Sequence, residues 1–317
     1  METILITGAA GFIGSHLTER LLSLGYQIIG LDNFDPFYDP AIKRKNAALF
    51  DANPRFTLLE GDIRDLPFLE KIFASHRIDK IVHLAARAGV RPSIQFPLLY
   101  EEVNIKGTLN LLEMSRAKSI KQFVFASSSS VYGGNLKTPF SETDPVDSPV
   151  SPYAATKKAG ELLCYNYHHL YQIPMTCLRF FTVYGPRQRP EMAIHLFARS
   201  IFEETPLPLY GDGTIRRDFT YIEDIIDGIV LTIKNPFGYE IFNLGESETH
   251  PVSEVIELLS KRIGKKAKIN TLPQAPGDMI VTYADISKAR KMLGYNPKTL
   301  LEKGLAKFVD ELKYNYK

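Results

Sequence analysis

Short apolar runs rich in β-branched residues alternate along this chain with longer stretches whose apolar positions recur every three to four residues. The runs predict strands over residues 4–7, 27–31, 56–59, 81–84, 122–126 and 175–180. The helical period predicts helices over 12–23, 66–75, 102–117 and 153–171. Strand–helix alternation on this scale implies an α/β fold with a doubly wound parallel sheet, covered on both faces.

Beyond Tyr184 the rhythm changes. Prolines gather at Pro186, Pro190, Pro206 and Pro208, and loops lengthen. A helix over 223–234 and a strand over 240–244 are expected to return to the first domain. Helices over 253–263 and 300–312 are expected at the surface. The expected division is residues 1–182, rejoined by about 220–246, against a small C-terminal substrate-binding lobe within 183–317.

Composition narrows the class. Hydrophobic residues make up 44% and charged residues 23% of 317, an ordinary globular balance. A net charge of +2 points away from nucleic acid and from polybasic membrane binding. The absence of an 18-residue apolar run, of a secretory start and of metal-type His/Cys spacing leads us to expect no membrane span, no secretion and no metal. The adjacent pair His168 and His169 is expected on a helix surface. The two cysteines, Cys164 and Cys177, fit a reducing compartment, so a cytoplasmic protein is expected.

Chemistry begins at Thr7-Gly8-Ala9-Ala10-Gly11-Phe12-Ile13-Gly14, between the first strand and the first helix. Gly8 suits a tight turn, Gly11 leaves room for a pyrophosphate, and Gly14 lets helix and strand approach. The helix N-terminus then turns partial positive charge toward phosphates. Asp32 ends the second strand, 18 residues after Gly14. A carboxylate there accepts from adenosine ribose hydroxyls and disfavours a 2′-phosphate, so NAD is expected rather than NADP. Asn33 follows it, and Asp62 with Ile63 is placed to meet the adenine. Asp62 equally suits a helix cap.

Tyr153 and Lys157 sit four apart, on one face of a helix. A phenol titrating near 10 becomes a usable base when an ammonium lies close. It can then take a proton from a sugar hydroxyl as hydride leaves the same carbon. The preceding strand ends in Ser127-Ser128-Ser129-Ser130, at the edge where a doubly wound sheet holds its ligand.

Together these pieces resemble the extended short-chain dehydrogenase/reductase family. The matching segments are the glycine turn, His83-Leu84-Ala85-Ala86, residues 127–133, residues 153–157 and Arg217-Asp218-Phe219-Thr220-Tyr221-Ile222. The resemblance implies a Rossmann domain with a small nucleotide-sugar lobe, and tightly held NAD contacted also by Leu84, Ala85 and Ala86. It further implies homodimers through two helices per subunit, here 102–117 and 153–171.

Within the family the chemistry divides at the serine run. Nucleotide-sugar 4,6-dehydratases carry Asp-Glu at the positions of Ser129 and Ser130, and UDP-glucuronate decarboxylases carry Glu at that of Ser130. This chain has neither acid, which leaves oxidation and re-reduction at C4. The sequence is most similar to UDP-glucuronate 4-epimerases, through Leu31-Asp32-Asn33-Phe34, Tyr38-Asp39, Lys43-Arg44 and the segment from Arg179 to Ala193. UDP-glucose 4-epimerases usually have Asn where Thr182 stands. Arg189 adds a guanidinium suited to a sugar carboxylate. Arg187-Gln188 departs from the Trp-Gly usual here.

The resemblance makes Tyr153, Lys157 and Ser128 catalytic. The expected substrate contacts are Arg87, Ser128, Ser129, Ser130, Tyr153, Thr182, Arg189, Arg217 on the diphosphate, and Asp278. The alternatives are a 4-epimerase of UDP-glucose or UDP-N-acetylglucosamine and, in a different class, a non-catalytic NAD-binding interaction protein, since fold alone proves no activity.

Overall fold

The computed structural model describes residues 1–273 and 281–315. The strands are, in chain order, β1 (Thr3–Thr7), β2 (Gln27–Asp32), β3 (Phe56–Glu60), β4 (Lys80–His83), β5 (Gln122–Ser128), β6 (Met175–Phe180), β7 (Thr182–Tyr184), β8 (Pro206–Tyr210), β9 (Arg216–Arg217), β10 (Phe219–Tyr221), β11 (Tyr239–Leu244), β12 (His250–Pro251), β13 (Lys268–Leu272) and β14 (Val281–Thr282). The helices are α1 (Phe12–Ser23), α2 (Pro40–Ala48), α3 (Leu66–Ser75), α4 (Val90–Gln95), α5 (Pro97–Glu101), α6 (Gly107–Ala117), α7 (Pro152–Tyr171), α8 (Ala193–Glu203), α9 (Ile222–Lys234), α10 (Val252–Ile263), α11 (Ser287–Leu293) and α12 (Leu301–Asn315).

Seven parallel strands form one sheet in the order β3-β2-β1-β4-β5-β6-β11. This is the expected α/β, Rossmann-type, doubly wound sheet. Its central strands are buried on both faces, which is why they read as unbroken apolar runs rather than alternating ones. The order of strand addition reverses between β1 and β4, and the strand ends there open a crevice. Strand 239–244 does pair with β6 in this sheet. The smaller pairings, β8 with β13 and β9 with β12 and β14, build the rest of the C-terminal region.

Two of the differences from expectation bear on the site. Residues 40–48 form α2, which the apolar pattern misses because its buried positions include Lys43 and Asn46. The signal is the pair Asp39-Pro40: the Asp39 carboxylate caps Ala41 N–H at 2.9 Å and Pro40 opens the helix. The single helix expected over 102–117 is instead a π-turn, Glu102–Lys106, followed by α6. Asn104 in that turn is buried. Its side chain accepts from Arg87 N at 2.8 Å and donates to Thr156 Oγ1 at 3.0 Å, tying the turn to the cavity wall and to α7. Among the described residues, no helix is long and apolar enough to cross a membrane.

Candidate active site

One cavity of about 800 Å³ opens at the carboxyl ends of the sheet strands. It collects all the expected site residues that the structure describes. Gly8, Gly11, Phe12, Ile13, Gly14, Asp32, Asn33, Asp62 and Ile63 line one end, with Leu84, Ala85, Ala86 and Arg87 at the β4 end. Ser128, Ser129, Ser130, Tyr153, Lys157, Thr182, Arg189 and Arg217 line the other. Asp278 lies outside the described residues.

The glycine turn has the shape of a phosphate cradle. Gly8 sits at φ +71°, and a Cβ on Gly14 would fall 2.1 Å from Gly8 O, so both positions require glycine. Gly11 is the N-cap of α1 and brings no side chain to its first N–H groups. Those donors face the cavity and are free to take an anion. The donor set therefore fits a dinucleotide pyrophosphate.

The acids behind it are more committed than the sequence suggests. Asp32 is buried. One oxygen accepts from Phe34 N at 2.9 Å and Lys43 Nζ at 3.2 Å, the other from Ala10 N at 3.1 Å. A carboxylate has about four acceptor sites, so room for a ribose hydroxyl remains on one of them. Asp62 is not a helix cap; Asp65 caps α3 through Phe68 N. Burial pushes the Asp62 carboxyl up, but bonds from Arg64 and Asn33 outweigh it and hold it at about 2.

The catalytic candidates converge as a unit. Tyr153 lies in the first turn of α7, whose N-cap Ser151 accepts from Ala154 N at 3.1 Å. Burial pushes the Tyr153 phenol up, while a hydrogen bond with Ser128 and the charge of Arg189 pull it down. Lys157 is buried one turn later. Its Nζ donates to Ala126 O at 2.7 Å, and burial lowers it to about 8. Ser128 Oγ also accepts from Ser130 Oγ at 2.9 Å, so the serine turn holds its own hydroxyls in place. Beneath this turn His83 bridges Thr7 Oγ1 at 2.7 Å and Thr108 Oγ1 at 2.9 Å. Burial, with the charge of Lys157, drops it to about 3 and keeps it neutral.

Comparison with known proteins agrees with this geometry. The profile of the GDP-mannose 4,6-dehydratase family matches residues 5–308. A UDP-glucuronate 4-epimerase of Thermodesulfobacterium geofontis is 46% identical over 99% of this chain and 97% of its own length. The crystal structure of UDP-glucuronic acid 4-epimerase from Bacillus cereus, in complex with UDP-glucuronic acid and NAD, superposes with a TM-score of 0.91. It is 40% identical and covers 99% of this chain and 100% of that one. A UDP-glucose 4-epimerase of Thermotoga maritima, solved with UDP-glucose, gives 0.92 at 32% identity, covering 99% of this chain and all of the other. The chain belongs to the extended short-chain dehydrogenase/reductase family.

For a member of this family, several cavity residues went unread in the sequence. Phe37 lies between two guanidinia, 4.6 Å from Arg87 and 5.8 Å from Arg189. Arg87 is ion-paired with Asp35, and Arg189 Nε lies 3.2 Å from Glu191 Oε1. Arg91 packs 3.9 Å over the Tyr210 ring, joining α4 to β8. The position of 33–38 directly after β2 was the available signal, because that loop must cross the strand ends. The departure at Arg187 is explained too. Its guanidinium turns away to His16 and Glu19 on α1 rather than into the cavity.

A buried ion pair also escaped notice. Arg179 and Glu161 are both buried and meet twice, at 2.8 and 2.9 Å, while Ser127 Oγ donates to the same carboxylate at 2.7 Å. Glu161 continues the face that carries Tyr153 and Lys157, so one helix stripe reaches Ala126, Ser127 and Ser128 at the strand end. Both cysteines are free and buried, and no metal-type cluster occurs among the described residues.

Proposed function

We propose that this chain is an NAD-dependent 4-epimerase that interconverts UDP-glucuronate and UDP-galacturonate through a 4-keto intermediate. The observation that carries the reading is that Tyr153, Lys157 and Ser128 meet in one cavity, set among the hydroxyls of Ser129, Ser130 and Thr182 with no acid in the serine turn. Membership of a family named for a dehydratase does not make the chain one. Elimination needs an acid and a base at the positions of Ser129 and Ser130.

When bound, NAD supplies the hydride acceptor and donor. The glycine turn and the N-terminus of α1 would hold its pyrophosphate, and Asp32 would meet its ribose. Tyr153 takes the proton of the C4 hydroxyl, Ser128 hydrogen-bonds that oxygen, and Lys157 favours the phenolate. Tyr153 returns the proton once the keto sugar has turned its other face. Arg217 meets the diphosphate. Ser129, Ser130, Thr182 and Arg189 hold the C6 carboxylate.

That last grip has a chemical purpose. The intermediate is a β-keto acid, which loses carbon dioxide when the carboxylate bond stands perpendicular to the ketone. Hydrogen bonds that keep it near the carbonyl plane slow the loss.

The enzyme is read as a cytoplasmic homodimer. Leu109 on α6 and Leu162, Tyr165, Leu170 and Tyr171 on α7 are exposed, an apolar surface suited to pairing with a second copy. The two free thiols support a reducing setting. The deciding experiment is product analysis after separate incubations with UDP-glucuronate and UDP-glucose and no added cofactor. UDP-galacturonate is expected; conversion of UDP-glucose alone, or of neither, overturns the reading.

A further inference from the structure

Two arginines of the cavity wall, Arg87 and Arg189, each already have a carboxylate of the protein beside them. Arg87 pairs with Asp35 on the loop after β2. Arg189 pairs with Glu191, two residues on, at 3.2 Å from Nε to Oε1. The Phe37 ring lies against both guanidinia, so the arginines are packed as well as neutralised. The two pairs differ in how easily they come apart. Asp35 is three-quarters buried, and its oxygen also takes Phe37 N at 2.9 Å. Glu191 is more exposed, at 38% of its side chain, against 22% for Arg189.

A displaced Glu191 carboxylate would have a helix N-terminus beside it. It stands just before Met192, the N-cap of α8, and α8 has no side-chain cap. The first N–H groups of that eleven-residue helix carry partial positive charge, which favours a carboxylate there.

We propose that Glu191 is an exchangeable counter-ion for Arg189, and that it sets the enzyme's preference between acidic and neutral sugars. This rests on the proposed UDP-glucuronate reading. With no acid bound, Glu191 neutralises the guanidinium, so a neutral sugar meets no bare charge. A sugar carboxylate displaces Glu191, which turns toward α8. The acid therefore binds only by outcompeting an internal rival, and part of its affinity is lost to that exchange.

The test uses the NAD-loaded wild type, Glu191→Gln, Arg189→Ala and the double variant. Titration calorimetry with UDP-glucuronate and UDP-glucose reads affinity, and product analysis reads turnover. Glu191→Gln is expected to bind UDP-glucuronate about two- to fivefold more tightly, the scale of a partly exposed ion pair. Its affinity for UDP-glucose stays level or falls. In the Arg189→Ala background the same substitution has no effect. Weaker or unchanged UDP-glucuronate binding in Glu191→Gln overturns the proposal, as does an equal shift for both sugars. A wild type that leaves UDP-glucuronate unconverted removes the functional reading and the proposal with it. Wild-type conversion with no Glu191→Gln effect removes the proposal alone.

Discussion

The Lys157 ammonium lies 6.0 Å from the centre of the Tyr153 ring and donates its 2.7 Å hydrogen bond to the carbonyl of Ala126. In the proposed mechanism it acts on the phenol through its field rather than by direct contact, alongside the charge of Arg189. That field needs a proton on a group whose burial lowers it to about 8. The ammonium is present below that pH and lost above it. The rate should therefore fall as pH rises through about 8. In Lys157→Arg, whose guanidinium keeps its charge, the alkaline fall should move upward even though turnover is slower. Initial rates from pH 6 to 10 decide; an identical alkaline limb in both proteins refutes the assignment.

Tyr153→Phe removes the only phenol hydrogen-bonded to Ser128 among the described residues and leaves the glycine cradle intact. Turnover should drop by about 10²–10⁴. NAD should still co-purify at the wild-type ratio, read from absorbance after denaturation. Wild-type rates would take Tyr153 out of the chemistry.

The carboxylate grip makes a prediction about products. Ser129→Ala and Thr182→Ala each remove a hydroxyl from the cavity wall around the sugar end. The freed carboxylate should reach the perpendicular orientation more often. The ratio of UDP-pentose to UDP-galacturonate, followed by chromatography, should rise several-fold. Unchanged ratios in both variants would count against this role for the hydroxyls.

The glycine turn, Tyr153, Lys157 and the serine run were legible because each is local. A tight turn, a four-residue helical step and a strand end all leave marks within eight residues. The ion pairs that hold the site were not. Glu161 reads as one more helix charge, and only the register that sets Ser127 beside Arg179 shows why it is buried. Asp62 reads as a possible cap, but the helix begins later and takes Asp65 instead. Arg187 reads only as a departure from the usual Trp-Gly, and the structure shows a backbone at φ +61° with the side chain turned to α1. The parallel, doubly wound class of the sheet followed from alternation, whereas the π-turn at 102–106 had no periodic signature.

Asp218, buried beside Arg217, accepts from the backbone of Glu246, Ser247 and Ala284 and from Thr220 Oγ1. Burial still outweighs these bonds and raises its carboxyl to about 6. Between about pH 4 and 6 the folded chain keeps a proton that the unfolded chain has released. Stability from this group is therefore lost as pH rises through that window, on the order of 3 kcal/mol. Asp218→Asn cannot titrate, so its unfolding free energy should lack this component. Denaturant melts of both proteins at pH 4, 5, 6 and 7 test it. Parallel pH profiles would show that the carboxylate is ionised throughout.

The Glu161–Arg179 pair separates stability from activity. Arg179→Met leaves the Glu161 carboxylate buried with only Ser127 and the nearby Lys158, 3.5 Å away, to balance it. The expected cost is about 3–5 kcal/mol, reduced to the extent that Lys158 moves in. Replacing both partners, as Glu161→Leu with Arg179→Met, removes the orphaned charge and should recover most of that loss. Turnover should not recover with it, because Ser127 then has no acceptor on α7 and the adjoining Ser128 loses its fixed place beside Tyr153. Thermal midpoint and kcat measured on the single and double variants distinguish the two effects. A double variant with both stability and kcat restored would mean that the pair supports the fold and does nothing for the serine turn.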